Sequence, residues 1–157
     1  MRLSILFLFL CLIFTACSSD IDPSADEDYS NYFIFGTFFG ECGGDNCVQT
    51  YKIEKGNLYK DIIHQYPGSG PYTFQIQSLE KYQTAKALLE TFPMELLKEK
   101  ESRIGNPDEH DQGGIFIAYK KNSFLKYWQI DRDRDKIPEY LRDYAKEVER
   151  IVDEFRG

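Results

Sequence analysis

The sequence predicts an α+β domain of about six short, mostly antiparallel strands, with two or three helices packed on one face and the C-terminal helix covering the sheet. Short apolar segments, alternating or continuous, are separated by Gly, Pro and Asn, as expected for strands joined by turns. Two longer segments repeat apolar residues every three or four positions, which is typical of helices with one buried face. Aromatic residues make up 15% of the chain, which suits a sheet-rich core.

The first residues have the pattern of a secretory signal. One basic residue, Arg2, precedes an unbroken apolar run over residues 5–14, and the small residues Thr15 and Ala16 stand directly before Cys17. The run is roughly half of the about 20 residues that a membrane-spanning helix needs. We therefore expect a cleaved signal peptide over residues 1–16.

The residues Phe14, Thr15, Ala16 and Cys17 resemble a lipobox, the processing site of bacterial lipoproteins, although most lipoboxes carry Leu where this chain has Phe14. The resemblance implies that Cys17 becomes the first residue and that its acylated thiol inserts into a lipid membrane. It implies a location at the cell envelope, in the outer membrane. Exposure on the cell surface is a further expectation. The alternative is an ordinary secretory signal with an incidental Cys17.

Residues 17–30 predict a disordered, acidic tether, because few apolar side chains are available to offset the entropy of ordering. Its acidic residues are Asp20, Asp22, Asp26, Glu27 and Asp28. The segment is similar to the serine-and-acid export signals of surface lipoproteins in some Gram-negative bacteria, and a solvated spacer is the alternative.

Residues 31–157 predict a single globular domain. In chain order, the predicted strands are 32–39, 48–54, 58–63, 72–77, 115–119 and 124–130. The first is continuously apolar and is expected to be buried on both faces, and Gly56 predicts a hairpin turn between the second and third. Ser78 is a suitable N-cap for a helix that ends or kinks at Pro93, with a short second helix after it. Pro138 predicts the first turn of the closing helix.

Two cysteines, Cys42 and Cys47, remain when Cys11 leaves with the signal and Cys17 is acylated. An even pair in an exported protein predicts a disulfide. A zinc site would need a second cysteine pair, which the sequence does not offer. A redox motif would have two residues between its cysteines, whereas four residues separate Cys42 from Cys47. The bridge would hold a rigid binding loop in one shape. The loop residues are Gly43, Gly44, Asp45 and Asn46.

Two further stretches carry candidate chemistry. Asp108, Glu109, His110 and Asp111 offer carboxylates and an imidazole for acid–base work or cation binding, with a solvated loop as the alternative. A hydrolase would use His110 or His64 with nearby carboxylates.

The second stretch resembles a thrombospondin type-3 calcium repeat. Asp131, Asp133 and Asp135 alternate before an Ile-Pro-Glu turn, which makes them weak calcium candidates. Lys136 stands where that family has glycine, and basic residues alternate with the aspartates. A charged turn before a helix is the alternative, and we expect no metal.

Other function classes lack support in the sequence. No serine elbow, phosphate-binding loop, paired histidine ligands or dinucleotide fingerprint occurs, so no cofactor is expected. The formal net charge of −7 opposes binding to a phosphate backbone, so nucleic acid is not an expected partner.

Several short stretches resemble small Gram-negative lipoproteins of no known activity: residues 37–42, Cys47, residues 51–53, Gly56 and residues 111–114. This resemblance implies an envelope location and little else. We therefore expect a membrane-anchored binding or interaction module with an unidentified protein or glycan partner. The alternatives are a hydrolase, an inhibitor that presents the loop between Cys42 and Cys47, and a structural part of an envelope complex.

Overall fold

A computed structural model describes residues 31–44 and 46–156. The predicted signal peptide, Cys17, the tether and Asp45 therefore lie outside the described residues. Seven strands form one sheet in the order β4-β3-β2-β1-β6-β7-β5, antiparallel except for the parallel pair β5–β7. The strands are β1 (Tyr32–Phe38), β2 (Val48–Glu54), β3 (Asn57–Asp61), β4 (Phe74–Ile76), β5 (Arg103–Ile104), β6 (Gly114–Lys121) and β7 (Phe124–Asp131). The helices are α1 (Leu79–Glu90) and α2 (Glu139–Arg156).

The central strand β1 is buried on both faces, as its continuous apolar sequence predicts. Phe33 and Phe35 join the main core beneath the helices, whereas Ile34 and Phe38 belong to a smaller core on the opposite face. A side chain at Gly36 would place its Cβ 2.1 Å from a backbone oxygen of β2. The interruption of the apolar run by glycine is therefore a consequence of close strand packing.

The C-terminal helix α2 packs across β1 and β6, which confirms the predicted α+β arrangement. Its apolar stripe is buried, and the helix begins at Glu139, so Pro138 stands directly before the first turn rather than within it as predicted. The buried residues of α2 are Leu141, Tyr144, Ala145, Val148, Ile151, Val152 and Phe155.

Fewer apolar residues of the first helix, α1, are buried than their helical spacing predicts. The Ser78 hydroxyl accepts a hydrogen bond from the Lys81 N–H, which confirms the predicted N-cap. Only Ala85 and Leu88 are fully buried, while Leu79 is 70% exposed. The helix lies at the margin of the sheet, so its apolar stripe is only partly covered.

The opposite face of the sheet is covered by residues 62–73, which we call the cover segment. Asp61 is 1% exposed, and its carboxylate accepts hydrogen bonds from the Gln65 and Thr73 N–H groups. The Tyr66 ring lies 5.2 Å from the ring of Phe38, between centroids. The cover segment therefore protects the smaller core.

The structure corrects several predicted boundaries. The strand predicted over residues 72–77 is only Phe74–Ile76, and the return strand ends at Asp61 because the cover segment begins there. The predicted second helix is a 3-10 turn, Met94–Lys98, and β5 was not predicted. Within the described part of the chain, no helix is long and apolar enough to cross a membrane.

Candidate binding surface

Three stretches of the sequence meet at one end of the sheet. They are residues 40–47, residues 106–113 and residues 131–136, and we call them the distal loop cluster. Phe38 pairs with Gly114, and Gly114 pairs with Asp131, so the three stretches lie at the same end of the sheet. Asn31 lies at the other end of β1, about 20 Å away at the usual rise per strand residue.

The cysteines Cys42 and Cys47 form a disulfide, with their Cα atoms 5.5 Å apart. The Cys47 carbonyl accepts a hydrogen bond from the Phe39 N–H at 3.0 Å, and the Cys47 N–H donates to Gly44 at 3.2 Å. Gly43, Gly44 and Asn46 are exposed, while Asp45 lies outside the described residues. The predicted bridge is confirmed, and the described residues between its two cysteines face solvent.

Asp108 joins the disulfide loop to the second stretch. Its Oδ1 atom accepts hydrogen bonds from the N–H groups of Gly40 at 2.9 Å and Gly113 at 3.1 Å. Its own N–H donates to the Gly113 carbonyl at 2.8 Å. The sequence made Asp108 a candidate for acid–base chemistry or cation binding. No sequence pattern indicated that it would connect residues 40–47 to residues 106–113.

The second stretch has an unusual backbone. Asp108, His110 and Asp111 all have positive φ, at 65°, 54° and 60°. Such values are uncommon for residues other than glycine, cost free energy, and persist only where the surrounding structure imposes them. Here the hydrogen bonds of Asp108 impose them at one end. At the other end, Gly113 packs so closely that a Cβ would lie 2.2 Å from the Phe38 carbonyl oxygen.

Two of the three aspartates that are weak calcium candidates, Asp131 and Asp133, accept hydrogen bonds from backbone N–H groups instead. Asp131 is buried, and its two carboxylate oxygens accept from the N–H groups of Asn106 and Asp133, each at 2.8 Å. Asp133 accepts from the Asp135 N–H at 3.0 Å. Among residues 31–44 and 46–156, no three acidic, His or Cys side chains are grouped to hold a metal.

Ion pairs attach the third stretch to its neighbours. Lys136 Nζ lies 2.6 Å from Glu109 Oε2, and this hydrogen bond, followed by one from Asn106, lowers the pKa of the Glu109 carboxyl. The Arg132 Nε atom lies 2.6 Å from Glu149 Oε1 on α2. Arg132 also lies over the Phe39 ring, 4.9 Å from its centroid. These contacts hold the stretch against both the other loops and the helix.

The structure does not assemble the predicted histidine chemistry. His110 is 82% exposed on its side chain, and its Nε2 atom is 4.0 Å from Glu109, whose carboxylate is bonded to Lys136. The Nδ1 atom of His64 lies 3.0 Å from the Val48 carbonyl oxygen, so this ring supports the backbone. Among the described residues, neither ring has a carboxylate within hydrogen-bond distance.

Two shallow cavities lie elsewhere on the molecule. One of about 280 Å³ is lined by Asn31, Tyr32, Tyr82 and Tyr119, at the end of the sheet opposite the distal loop cluster. The other, of about 160 Å³, lies between residues 99–102 and residues 125–128. Neither of these two cavities is lined by residues of the distal loop cluster.

No family model matches the chain, and no curated protein matches it.

Proposed function

We propose that the protein is a lipid-anchored binding module of the cell envelope and that the distal loop cluster is the surface it presents to a protein partner. The observation that carries this proposal is the joining of the disulfide loop to residues 106–113 through Asp108. Two loops far apart in sequence become one surface at the end of the sheet opposite Asn31.

The position of the surface supports display from a membrane. If Cys17 carries the lipid, the tether enters the domain at Asn31, which leaves the distal loop cluster as the end of the domain remote from that entry. An acidic tether would keep the domain clear of the bilayer, since its charges favour an extended, solvated chain. A partner approaching from solution would then meet the cluster first.

The surface is also held in one shape before any partner arrives. The disulfide, the two hydrogen bonds to Asp108 and the pair between Lys136 and Glu109 each limit its movement. A loop that is already ordered loses less entropy on binding, so more of the contact free energy appears as affinity.

Composition favours a protein partner over a glycan. The three stretches contain no Phe, Tyr or Trp to stack on a sugar ring. They expose glycines and polar side chains, including Gly43, Asn46 and His110, which suit hydrogen bonds to a protein surface.

Site-specific photocrosslinking in cells tests this proposal. A photoreactive residue at Asn46 should give one adduct of defined mass, because that position would face the partner. The matched control is Ser123, an exposed position in the turn between β6 and β7 at the opposite end of the sheet. Adduct at Ser123 but not at Asn46 would contradict the proposal.

A further inference from the structure

The larger cavity, of about 280 Å³, opens at the end of the sheet where β1 begins. Its lining comes from residues 31–33, from the β2–β3 hairpin at residues 53–56, from residues 119–121 at the end of β6, and from Tyr82 and Leu89 on α1. The cavity remains open because α1 covers the sheet only at its margin. Its volume is at the lower limit for ligand pockets, so it suits one ring-sized group.

Three half-buried tyrosines give the cavity aromatic walls: Tyr32, Tyr82 and Tyr119. The Tyr119 ring is stacked on the ring of Phe92, with centroids 5.2 Å apart, and Lys120 Nζ lies 5.4 Å from the centroid of Tyr32. Within residues 31–44 and 46–156, the three tyrosine hydroxyls form no hydrogen bond. The walls therefore offer apolar ring surface together with hydroxyls that a ligand can pair with.

The lining of the cavity is positively charged. It includes Lys55, Lys120 and Lys121 but a single acid, Glu54. The Glu54 carboxylate accepts a hydrogen bond at 2.8 Å from Lys52, which does not line the cavity. Lys121 is exposed and forms no ion pair with another described residue. In a chain of net charge −7, this local excess of lysines indicates an anionic ligand.

We propose that this cavity binds one residue of an acidic saccharide, a sugar ring that carries a carboxylate. The tyrosine rings accept the apolar C–H surface of a sugar, and their hydroxyls pair with the hydroxyls of that sugar. The Lys121 ammonium donates a charge-assisted hydrogen bond to the carboxylate. A neutral sugar would leave Lys121 unpaired, and a flat aromatic acid would leave the tyrosine hydroxyls without partners.

This site is separate from the proposed protein-binding surface, since it lies at the opposite end of the sheet from the distal loop cluster. The saccharide site and the protein-binding surface can therefore be occupied together, and each can be tested without the other.

Ligand-observed NMR on the full chain tests the ligand class, at constant ionic strength and in a detergent without a sugar headgroup. Methyl glucuronide should bind. Methyl glucoside, which lacks the carboxylate, and benzoate, which lacks the hydroxyls, should each bind about fivefold more weakly. Absence of glucuronide binding, or equal affinity for glucuronide and either comparison compound, would overturn the proposal.

Two substitutions with matched controls locate the contacts. Lys121→Gln should weaken glucuronide binding about fivefold, and Tyr82→Phe, which keeps the ring, about threefold. The control for the lysine is Lys86→Gln, because Lys86 is exposed on α1 and pairs with Glu90 outside the cavity. The control for the tyrosine is Tyr127→Phe, because Tyr127 is 53% exposed on β7 and does not line this cavity. Equal affinities in the cavity variants and their controls would overturn the proposal.

Amide chemical shifts of the protein show where the saccharide binds. The Gly56 signal should move on addition of methyl glucuronide, because Gly56 lines the cavity, and it should move less at the same concentration in Lys121→Gln. The Gly113 signal, from the distal loop cluster, should stay in place. A shift at Gly113 without one at Gly56 would place the saccharide elsewhere and overturn the proposal.

Discussion

Two buried tyrosines of the main core, Tyr51 on β2 and Tyr144 on α2, differ in their hydrogen bonding. The Tyr144 hydroxyl donates to the Leu88 carbonyl at 3.0 Å, at the end of α1, where helix carbonyls lack partners within the helix. The Tyr51 hydroxyl is buried and has no hydrogen-bond partner among the described residues. The two hydroxyls should therefore contribute to stability with opposite sign.

Replacing each tyrosine by phenylalanine measures this difference. Tyr51→Phe removes a buried, unpaired hydroxyl and should stabilise the domain by about 1 kcal/mol, whereas Tyr144→Phe leaves a carbonyl unpaired and should destabilise it by about 1–2 kcal/mol. Urea unfolding at pH 7 gives both values. Changes of the same sign in the two variants would contradict the assignment of hydrogen bonds.

The pH dependence of stability provides an independent prediction at the same residue. Burial, partly offset by the Arg156 charge, raises the pKa of Tyr51 to about 12 from 10.0. Between pH 10 and pH 12 the unfolded chain releases this proton and the folded chain keeps it, so stability should fall by about 1.4 kcal/mol per pH unit. The fall from this residue should be absent below pH 10.

Comparison of wild type with Tyr51→Phe isolates that contribution, since other tyrosines titrate in both proteins. Chemical unfolding from pH 9 to pH 12 should show a shallower decline in the variant. Parallel curves would show that the Tyr51 hydroxyl ionises equally in both states.

Asp108 determines whether the two loops of the distal loop cluster form one surface. Asp108→Ala removes the acceptor for the Gly40 and Gly113 N–H groups and should destabilise the domain by about 2 kcal/mol. Asp108→Asn keeps one oxygen and tolerates the positive φ, so it should cost about half as much.

Urea unfolding compares the free energies of unfolding of the two variants with that of the wild type. Amide hydrogen exchange at Gly40 and Gly113 shows whether the loss of stability arises at the two loops. Exchange at both glycines should become faster in Asp108→Ala. Unchanged protection there would show that Asp108 does not hold the loops together.

At the scale of elements, the disulfide loop should be separable from the rest of the domain. It closes only the short segment from Cys42 to Cys47, so the double Ser variant should lose about 2 kcal/mol of stability. The sheet should persist, because β1 and β2 remain paired through the register that joins Phe38 to Val48. The yield of crosslinked adduct at Asn46 should fall sharply, although most of the stability of the domain is retained.

Far-UV circular dichroism and urea unfolding check the structural part of this prediction, and reduced wild type is the matched control. Loss of the whole sheet on reduction would mean that the bridge stabilises the fold rather than the shape of one loop.

The helices show why periodicity predicts some elements better than others. The stripe of α2 repeats over eighteen residues and faces one continuous surface, so its burial follows from spacing alone. In α1, Leu79 has the right spacing and is nevertheless 70% exposed, because no neighbouring element covers that end. Periodicity indicates which residues share a face and not how far the tertiary structure covers it.

Contacts between distant segments were the least predictable part of the site. The pairing of Cys42 with Cys47 follows from counting cysteines in an exported chain. The hydrogen bond from Gly40 to Asp108 spans 68 positions and depends on β1 and β6 lying side by side. Similarly, the two-residue strand β5 forms only because β7 offers a free edge, which no local pattern announces.

At the scale of the whole molecule, the proposed function assigns a different role to each end of the domain. Asn31 lies at one end of β1, and the distal loop cluster is at the other. The central claim is that the domain is held to a membrane at its first end and presents a disulfide-closed surface at its second.

The intact mass of the membrane-extracted protein, before and after reduction, tests both halves of that claim together. We predict a mass that begins at an acylated Cys17 and rises by about two protons on reduction of the pair Cys42–Cys47. A Cys17→Ala variant should lose the lipid mass and remain unprocessed. An unacylated mass in the wild type, or no change on reduction, would contradict the account.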